Sequence, residues 1–382
     1  MEKKIKVLTV IIFFFIIWGT GTLTLLNWKK EYSEFEKRKL TAFPKVKAEQ
    51  VFSGKFQEQL NDFLNDHMVL RDQSITVAAL ASKTMGKKDQ NGVYFGSGGY
   101  LIEKYDDKDF SKKEIRENVK YLSRFTNMVA ENLGAENIRV ALIPSKIKVL
   151  QNRLPMYATK SRMNDYMKSY LKSKLNDSEV FFDMGEILMK HRNEYIYYKT
   201  DHHWTTLGAE YGYEALMDSM GQEKCVVVKE QTVCDNFRGT TYNKIHYSPS
   251  KDVIKKSEIE SAGKCSLIYD ISGEKQAKDC LYDEEALKTE DKYNYFLGGN
   301  FGAIHIHTGC TNGKTLVLIK DSFANCMIPY LTFNYENIEV IDLRYLNSSI
   351  FDTLNELERI DSVIIMFNEE KFMQDNHLWL LE

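Results

Sequence analysis

The sequence lacks an excess of basic residues, because 51 Lys and Arg stand against 54 Asp and Glu, a formal net charge of −3 over 382 residues. A chain without an excess of positive charge is a poor candidate for nucleic-acid binding, so we expect no nucleic-acid partner. The sequence also lacks long runs of like charge, internal repeats and low-complexity tracts. At 43% hydrophobic residues it is long enough to bury a large core.

A Cys-x-x-Cys pair is also absent, so the cysteine spacing does not support a zinc site. The six cysteines all lie in the second half of the chain, at Cys225, Cys234, Cys265, Cys280, Cys310 and Cys326. Disulfides are permitted if this half is exported. The sequence does not choose among the many pairings that six cysteines allow, so the pairing stays open.

The first 28 residues carry the clearest targeting signal. Three lysines precede an uncharged run from Val7 to Leu26, which matches the about 20 residues that a membrane-spanning helix needs. A cleaved signal peptide is the alternative, although no Ala-x-Ala-like cleavage site follows the apolar run. We therefore expect a single-pass membrane anchor with the rest of the chain extracytoplasmic, or a secreted protein if the segment is cleaved.

The rest of the chain divides into two regions by pattern. Residues 29–110 are expected to form a stalk, followed by a helix and a hairpin that pack on the core. In residues 111–382, continuous apolar strand runs alternate with helices, which predicts an α/β fold with a parallel sheet covered by helices on both faces. Residues 222–291 interrupt this rhythm and are expected to form a loop-rich insertion.

The segment "TDHHWT" places an aspartate and two histidines before a predicted helix. In extended backbone, residues two apart share a side, so Asp201 and His203 are expected on one side and His202 on the other. A carboxylate beside an imidazole fixes its tautomer and stabilises the imidazolium. We therefore predict His203 as a general base and Asp201 as its orienting carboxylate, with His202 structural and Trp204 packing the loop against the helix.

Ser322 is the best candidate for a nucleophile that this base would activate. It follows an apolar strand and precedes a helix, so its hydroxyl is expected at the carboxyl edge of the sheet, where open α/β folds bind ligands. The amino terminus of that helix would also offer N–H groups to an oxyanion. The alternative is an ordinary helix cap formed by Asp321 or Ser322.

Together, "TDHHWT" and "IKDSFAN" resemble the DHHW proteins, relatives of the alginate O-acetylation proteins within the SGNH-hydrolase-like superfamily. The segments "NDHMVLRD", "NGVYFGSGGYLIE", "ALIPSK", "YFLGGN" and "VIDLRY" also occur in the order that such proteins show. The aspartate and histidine precede the serine, as in the alginate-type branch and unlike ordinary SGNH hydrolases. The resemblance implies an SGNH-hydrolase-like, flavodoxin-like fold.

The resemblance also implies roles for individual residues. Ser322 would be the nucleophile, His203 the general base and Asp201 the orienting carboxylate. Gly299 and Asn300 are the candidates for further oxyanion donors, although their Gly-Gly-Asn segment suits a tight turn equally well.

The chemistry that the resemblance implies is acetyl transfer: the serine takes an acetyl group, and a sugar hydroxyl or water removes it. This predicts an O-acetyltransferase or O-acetylesterase for a cell-envelope or exported polysaccharide, without a cofactor. A membrane-bound O-acyltransferase would supply the acetyl group. One departure is Lys320, where related enzymes commonly have the glycine of a Gly-Asp-Ser motif. Its side chain could crowd the turn or supply charge.

Two other functions stay open from the sequence. A metal-dependent hydrolase could use Asp201 and His203 together with His305 and His307, which alternate in "AIHIHTG" and would share one strand face. A non-catalytic protein could instead bind glycan, or act as a scaffold of a polysaccharide machinery, with an inactive triad. Serine-directed labelling would separate these functions from the acetyl-ester enzyme.

Overall fold

The computed structural model describes residues 2–26, 28–33, 38–271 and 274–382. Residues 34–37 of the expected stalk and residues 272–273 of the expected insertion lie outside the described residues. The chain forms two compact units: unit 1 contains Met1–Asn91 and Asn243–Tyr247, and unit 2 contains Gly92–Tyr242 and Ser248–Glu382. Unit 2 therefore begins earlier than the boundary at residue 111 that the sequence pattern suggests.

Unit 1 is mainly helical. Its helices are α1 (Glu2–Leu26), α2 (Ala48–Phe52), α3 (Lys55–His67) and α4 (Arg71–Thr84), and its strands are β1 (Tyr32–Ser33), β2 (Arg38–Lys39) and β3 (Asp89–Gln90). In α1, the stretch Lys4–Thr24 is long and apolar enough to cross a membrane. This helix is compatible with a signal anchor or a signal peptide, as the sequence predicts.

Unit 2 contains the remaining helices and strands, except for Asn243 at the end of α10, which belongs to unit 1. The helices are α5 (Lys112–Leu133), α6 (Lys146–Val149), α7 (Met163–Lys172), α8 (Gly185–Lys190), α9 (Thr206–Ser219), α10 (Thr240–Asn243), α11 (Ile328–Leu331), α12 (Ile350–Asn355) and α13 (Glu369–Gln374). The strands are β4 (Val93–Phe95), β5 (Leu101–Glu103), β6 (Ile138–Ile143), β7 (Phe181–Asp183), β8 (Lys229–Phe237), β9 (Asp252–Glu258), β10 (Ser266–Ile271), β11 (Glu274–Lys278), β12 (Ala303–His307), β13 (Thr315–Lys320), β14 (Asn337–Ile341) and β15 (Ser362–Asn368).

An eight-stranded sheet organises unit 2, in the order β11-β10-β12-β14-β13-β15-β6-β7. Strands β14, β13, β15, β6 and β7 are parallel, which confirms the predicted α/β class. The other three strands pair antiparallel, so the sheet is mixed and rich in parallel strands. Strands β10 and β11 come from the expected insertion, and residues 266–271 and 274–278 therefore belong to the main sheet.

Both faces of the central parallel strands β6, β13 and β15 are buried. In β13, Leu316 and Leu318 contribute to one hydrophobic core, whereas Val317 and Ile319 contribute to the other. This alternation follows from the two-residue period of a strand, and it explains why β13 reads as a continuous apolar run. The strand ends at Lys320, so the next residues lie at the carboxyl edge of the sheet.

Candidate active site

The loop before α9 is closed by its own backbone. Tyr197 and Trp204 form an antiparallel bridge, and the Thr205 side chain caps α9 by accepting a hydrogen bond from the Gly208 N–H (3.3 Å). Trp204 is fully buried, and its Nε1 donates to the Phe323 carbonyl (2.8 Å). The tryptophan therefore packs the loop as predicted, and it also ties the loop to the residue after Ser322.

The structure brings Asp201, His203 and Ser322 together. His203 Nδ1 lies 2.6 Å from Asp201 Oδ1, and His203 Nε2 lies 2.8 Å from Ser322 Oγ. Asp201 and His203 are buried, whereas Ser322 is half-buried. This is the geometry of a nucleophile, a base and an orienting carboxylate, because one imidazole bonds the hydroxyl through one nitrogen and the carboxylate through the other.

The Asp201 carboxylate is satisfied on both oxygens. Oδ1 also accepts a hydrogen bond from the His203 backbone N–H (2.9 Å), and Oδ2 accepts from the Thr240 N–H and hydroxyl (2.8 and 3.0 Å). Burial acts to raise the pKa of Asp201, but the charge of His203 and the two hydrogen bonds from His203 outweigh it and hold the pKa well below its ordinary value. The carboxylate is therefore ionised and fixed.

His202 does not face away from the other two residues, so that prediction was wrong. The His202 and His203 ring centroids lie 3.8 Å apart, because residues 201–203 form bends and not extended backbone. His202 Nδ1 hydrogen-bonds Thr240 Oγ1. Burial, with His203 as the next cause, lowers the pKa of His202 to about 3. His202 is therefore neutral at ordinary pH and places no positive charge beside His203.

Ser322 is held by a short turn at the end of β13. Asp321 Oδ1 accepts the Phe323 N–H (2.9 Å), and its Oδ2 accepts the Asn368 N–H (2.8 Å). The segment Ser322–Cys326 is a five-residue 3₁₀ helix, shorter than the helix expected to stabilise an oxyanion. Asp321 therefore acts as the cap, and it leaves the Ser322 hydroxyl to His203.

Tyr293 is a further residue at this site. Its buried ring stacks on His203 with centroids 3.8 Å apart and planes 7° apart. Its hydroxyl donates to the Ser322 backbone carbonyl (3.1 Å). One side chain therefore contacts both the imidazole and the serine backbone.

Asn300 and Gly299 lie beside the turn that carries Ser322. Asn325, on the same 3₁₀ helix as Ser322, directs its Nδ2 to Asn300 Oδ1 (3.2 Å) and to the Gly299 carbonyl (3.4 Å). The buried Lys320 Nζ also donates to Asn300 Oδ1 (2.8 Å). Because an ammonium group only donates, this contact fixes the Asn300 amide with its oxygen toward Lys320.

Lys320 leaves the turn uncrowded. Besides Asn300, its Nζ contacts Asp342 Oδ2 (3.3 Å), and Asp342 also binds Arg344 through two contacts of 2.8 and 2.6 Å. Burial lowers the pKa of Lys320, although Asp342 opposes this effect. Lys320, which stands where related enzymes commonly have glycine, thus supplies a charge that is paired with Asp342.

His305 and His307 are not brought to the candidate site. They lie on the antiparallel strand β12, where His305 Nδ1 contacts Glu339 Oε2 (3.2 Å) and His307 Nδ1 contacts Asn337 Oδ1 (3.1 Å). Within the described part of the chain, the one group of His, Cys, Asp and Glu side chains close enough to share a metal ion is Asp201, His202 and His203. The four-residue metal site expected as an alternative is therefore not formed.

Sequence reasoning missed Thr240, Gly239 and Tyr293. A Cβ atom at Gly239 would lie 2.1 Å from Asp201 Oδ2, so only a glycine fits against the carboxylate. No pattern around Gly239 or Thr240 marks them. Tyr293 lies two residues before the segment "YFLGGN", which was the one available signal.

A family model described as "DHHW protein" matches residues 90–341, more than half of the chain. No curated protein sequence matches significantly. Among solved structures, a DHHW family protein from Eubacterium siraeum is 22% identical with a TM-score of 0.62, and the match covers 76% of this chain and 95% of that one.

PatB1 from Bacillus cereus is 19% identical with a TM-score of 0.61, covering 75% of this chain and 97% of that one. A PatB1 structure with a sulfonyl adduct is 17% identical with a TM-score of 0.59, covering 73% and 96%. The O-acetyltransferase domain of Pseudomonas putida AlgJ is 13% identical, covering 75% and 93%, and its TM-score of 0.46 is too low to support an argument. The similarity of this chain to the Eubacterium siraeum protein and to PatB1 is a similarity of fold.

Proposed function

Since the chain belongs to the DHHW protein family, we propose that it is an extracytoplasmic, serine-dependent acetyl-ester enzyme. It would act as an O-acetyltransferase or O-acetylesterase on a cell-envelope or exported polysaccharide. The observation that supports this proposal is the position of His203, which lies within hydrogen-bond distance of Ser322 Oγ on one side and of Asp201 on the other. The choice of acetyl as the acyl group rests on the sequence resemblance.

The proposed reaction has two steps. Ser322 Oγ attacks the acetyl carbonyl while its proton passes to His203 Nε2, and the donor alcohol leaves with that proton. In the second step His203 takes a proton from a sugar hydroxyl or from water, and that oxygen attacks the acetyl carbonyl. The bond from the acetyl group to Ser322 Oγ then breaks, and His203 Nε2 returns the proton to Ser322 Oγ. Asp201 stabilises the imidazolium in both steps. Transfer and hydrolysis therefore differ only in the acceptor.

Oxyanion stabilisation is proposed for Asn300. Its amide oxygen is occupied by Lys320 and Asn325, so the amide nitrogen is the group left to donate to a developing oxyanion. The Gly299 N–H is the second candidate. Loss of one such donor typically costs about 10²- to 10³-fold in kcat.

The remaining parts of the proposal concern partners and location. The apolar helix α1 would anchor the chain as a single membrane span, with unit 2 on the extracytoplasmic side. A membrane-bound O-acyltransferase would then supply the acetyl group, and a polysaccharide would accept it. We propose no nucleic-acid partner and no cofactor.

The test is acetyl release from 4-nitrophenyl acetate by the full-length protein in detergent. We expect Ser322→Ala and His203→Ala each to lower kcat/KM by about 10³-fold or more.

A second experiment tests the serine directly by covalent labelling. A fluorophosphonate probe should label the wild type but not Ser322→Ala, and a sulfonyl fluoride offers a second probe because PatB1 forms a sulfonyl adduct. Ser178→Ala, which alters an exposed serine, is the matched control. Unchanged hydrolysis in Ser322→Ala would refute the proposal, and absence of both hydrolysis and labelling in the wild type would favour a non-catalytic protein.

A further inference from the structure

The end of the apolar helix α1 is part of the packing of unit 1. Most of the stretch Lys4–Thr24 is exposed, but Thr24 at its end is only 7% exposed. The Thr24 hydroxyl accepts a hydrogen bond from the Val69 backbone N–H (3.3 Å). Val69 belongs to the turn between α3 and α4, so this turn lies directly beside the last residue of the apolar stretch.

The same turn presents apolar side chains to solvent. Met68 is 40% exposed and Leu70 is 61% exposed. Leu70 also has a φ of 58°, a left-handed conformation that is uncommon for a residue with a branched apolar side chain. The turn therefore holds a bulky apolar side chain outward although both its conformation and its contact with water are unfavourable.

Two more exposed apolar residues follow the end of α1. Leu26 is 75% exposed and Trp28 is 51% exposed. The segment after them is fixed to α3, because His67 Nε2 contacts the Lys30 carbonyl (2.9 Å). Tryptophan is enriched at the boundary between hydrocarbon and headgroups in membrane proteins. We call Leu26, Trp28, Met68 and Leu70 the apolar rim.

We propose that the apolar rim seats unit 1 in the headgroup boundary of the lipid bilayer, on the extracytoplasmic side, with α1 retained as the membrane span. The 21 residues of the apolar stretch are about 31 Å long as a helix, close to the about 30 Å of the hydrocarbon core. A span of that length ends where the hydrocarbon ends. The hydrogen bond from Val69 to Thr24 then places the α3–α4 turn at the same level.

Lipid is the occupant that this contact favours. A partner protein could cover exposed leucines at any height above a membrane, whereas the bond to Thr24 fixes the turn to the end of the span itself. Removal of α1 by a signal peptidase would also remove the partner of the Val69 N–H, which supports retention of the helix. The inference is independent of the acyl-transfer chemistry.

The test uses the full-length protein in nanodiscs of phosphatidylethanolamine and phosphatidylglycerol, with the photoreactive residue benzoylphenylalanine at position 70. Leu80 is the matched control, because it is an exposed leucine (47%) within α4, about 15 Å along that helix from the turn that contains Leu70. After irradiation, mass spectrometry should find lipid adducts severalfold more abundant at position 70 than at position 80.

A second variant keeps the test independent of the probe. Asparagine tolerates a left-handed φ, so Leu70→Asn should keep the turn while removing its apolar side chain, and it should reduce lipid adducts formed by a probe at position 68. Three results would each overturn the inference. They are equal adduct yields at positions 70 and 80, adducts only to another protein or to a second copy of the chain, and a mature protein whose mass shows cleavage within α1 or directly after it.

Discussion

At the scale of single residues, His203 contacts two aromatic rings. The Tyr293 ring stacks on its imidazole with the planes 7° apart, and the His202 ring lies against it tilted by 35°, each with a centroid distance of 3.8 Å. The face of an aromatic ring attracts a cation, and His203 becomes a cation whenever it takes the Ser322 proton. The Tyr293 ring is thus placed to stabilise the charged state, while the neutral His202 does not oppose it.

We expect the ring of Tyr293 to matter more than its hydroxyl. Tyr293→Leu should lower kcat by about 10-fold, because the cation–π contribution of a desolvated pair is about 1–2 kcal/mol, and it should leave KM unchanged. Tyr293→Phe keeps the ring and should recover most of that loss. Steady-state kinetics, with melting temperatures to verify folding, measure the difference. Equal losses in both variants would assign the effect to the hydroxyl and its bond to the Ser322 carbonyl.

Gly239 offers a test of how closely the Asp201 carboxylate must be held. The Cβ of an alanine here would lie 2.1 Å from Asp201 Oδ2, so Gly239→Ala has to displace the carboxylate. Since a shift of about 1 Å at a catalytic group costs up to about 10²-fold, we expect kcat/KM for 4-nitrophenyl acetate to fall by about 10- to 100-fold. Gly263→Ala, with no atom within 4 Å of its new Cβ, should be unchanged. Wild-type activity in Gly239→Ala would show that the carboxylate position is not critical.

The spacing in "TDHHWT" predicted that Asp201 and His203 would share a side, and they do. The placement of His202 was wrong because that argument assumes extended backbone, whereas this loop bends. Thr240 and Tyr293 could not be predicted, since their roles depend on contacts across 39 and 29 residues of chain. Local spacing therefore identified the pair beside the nucleophile but not the residues that hold it.

At the scale of elements, helix α13 begins with two buried carboxylates, Glu369 and Glu370. Asn164 Nδ2 donates to both (2.7 and 3.0 Å), and Lys168 Nζ lies 2.6 Å from Glu369. Lys168 also contacts Asp183 (2.9 Å). Burial raises the pKa of Glu369, and Lys168 opposes this effect without cancelling it. The folded protein thus holds the Glu369 proton more tightly than the unfolded chain does.

This difference predicts a dependence of stability on pH. For an acid with a raised folded pKa, the stabilising contribution is present below the unfolded value of about 4.3 and is lost as pH rises through the folded pKa. The melting temperature of the wild type minus that of Glu369→Gln should therefore decrease between about pH 5 and pH 8, by a few degrees. Glu186→Gln, at an 81% exposed side chain, should show a flat difference. A difference that rises with pH would contradict the sign.

The parallel strands were predictable because their burial on both faces leaves a continuous apolar run. Strand β11, residues 274–278, reads "EKQAK" and has no such run, because it is an edge strand with mainly polar side chains. Its partner β10 pairs with β12, and the paired residues are 33 (Asp270 and Ala303) to 41 (Ser266 and His307) positions apart in the sequence. Strands β10 and β11 therefore fall within residues 222–291, the segment expected to be an insertion, whereas β12 lies after it.

At the scale of the whole molecule, the family prediction from the motifs is confirmed by the match over residues 90–341. The α/β class is confirmed as well. The division of the chain was harder to predict, because unit 1 includes Asn243–Tyr247, a segment that is distant in sequence from the rest of that unit. Within unit 1, Asn91 Nδ2 donates to the Lys244 carbonyl (2.7 Å) and Thr76 Oγ1 donates to the His246 carbonyl (3.2 Å).

This division leads to a prediction about the fragment Gly92–Glu382. All three candidate catalytic residues and the eight-stranded sheet lie in unit 2, so the fragment should fold and hydrolyse 4-nitrophenyl acetate at a rate close to that of the full-length chain. Asn243–Tyr247 should lose its partners from residues 76 and 91, and limited proteolysis should cut there first, as it does at exposed loops. Peptide mapping of both proteins measures this difference. An inactive fragment with the melting temperature of the full-length chain would show that unit 1 contributes to the reaction itself.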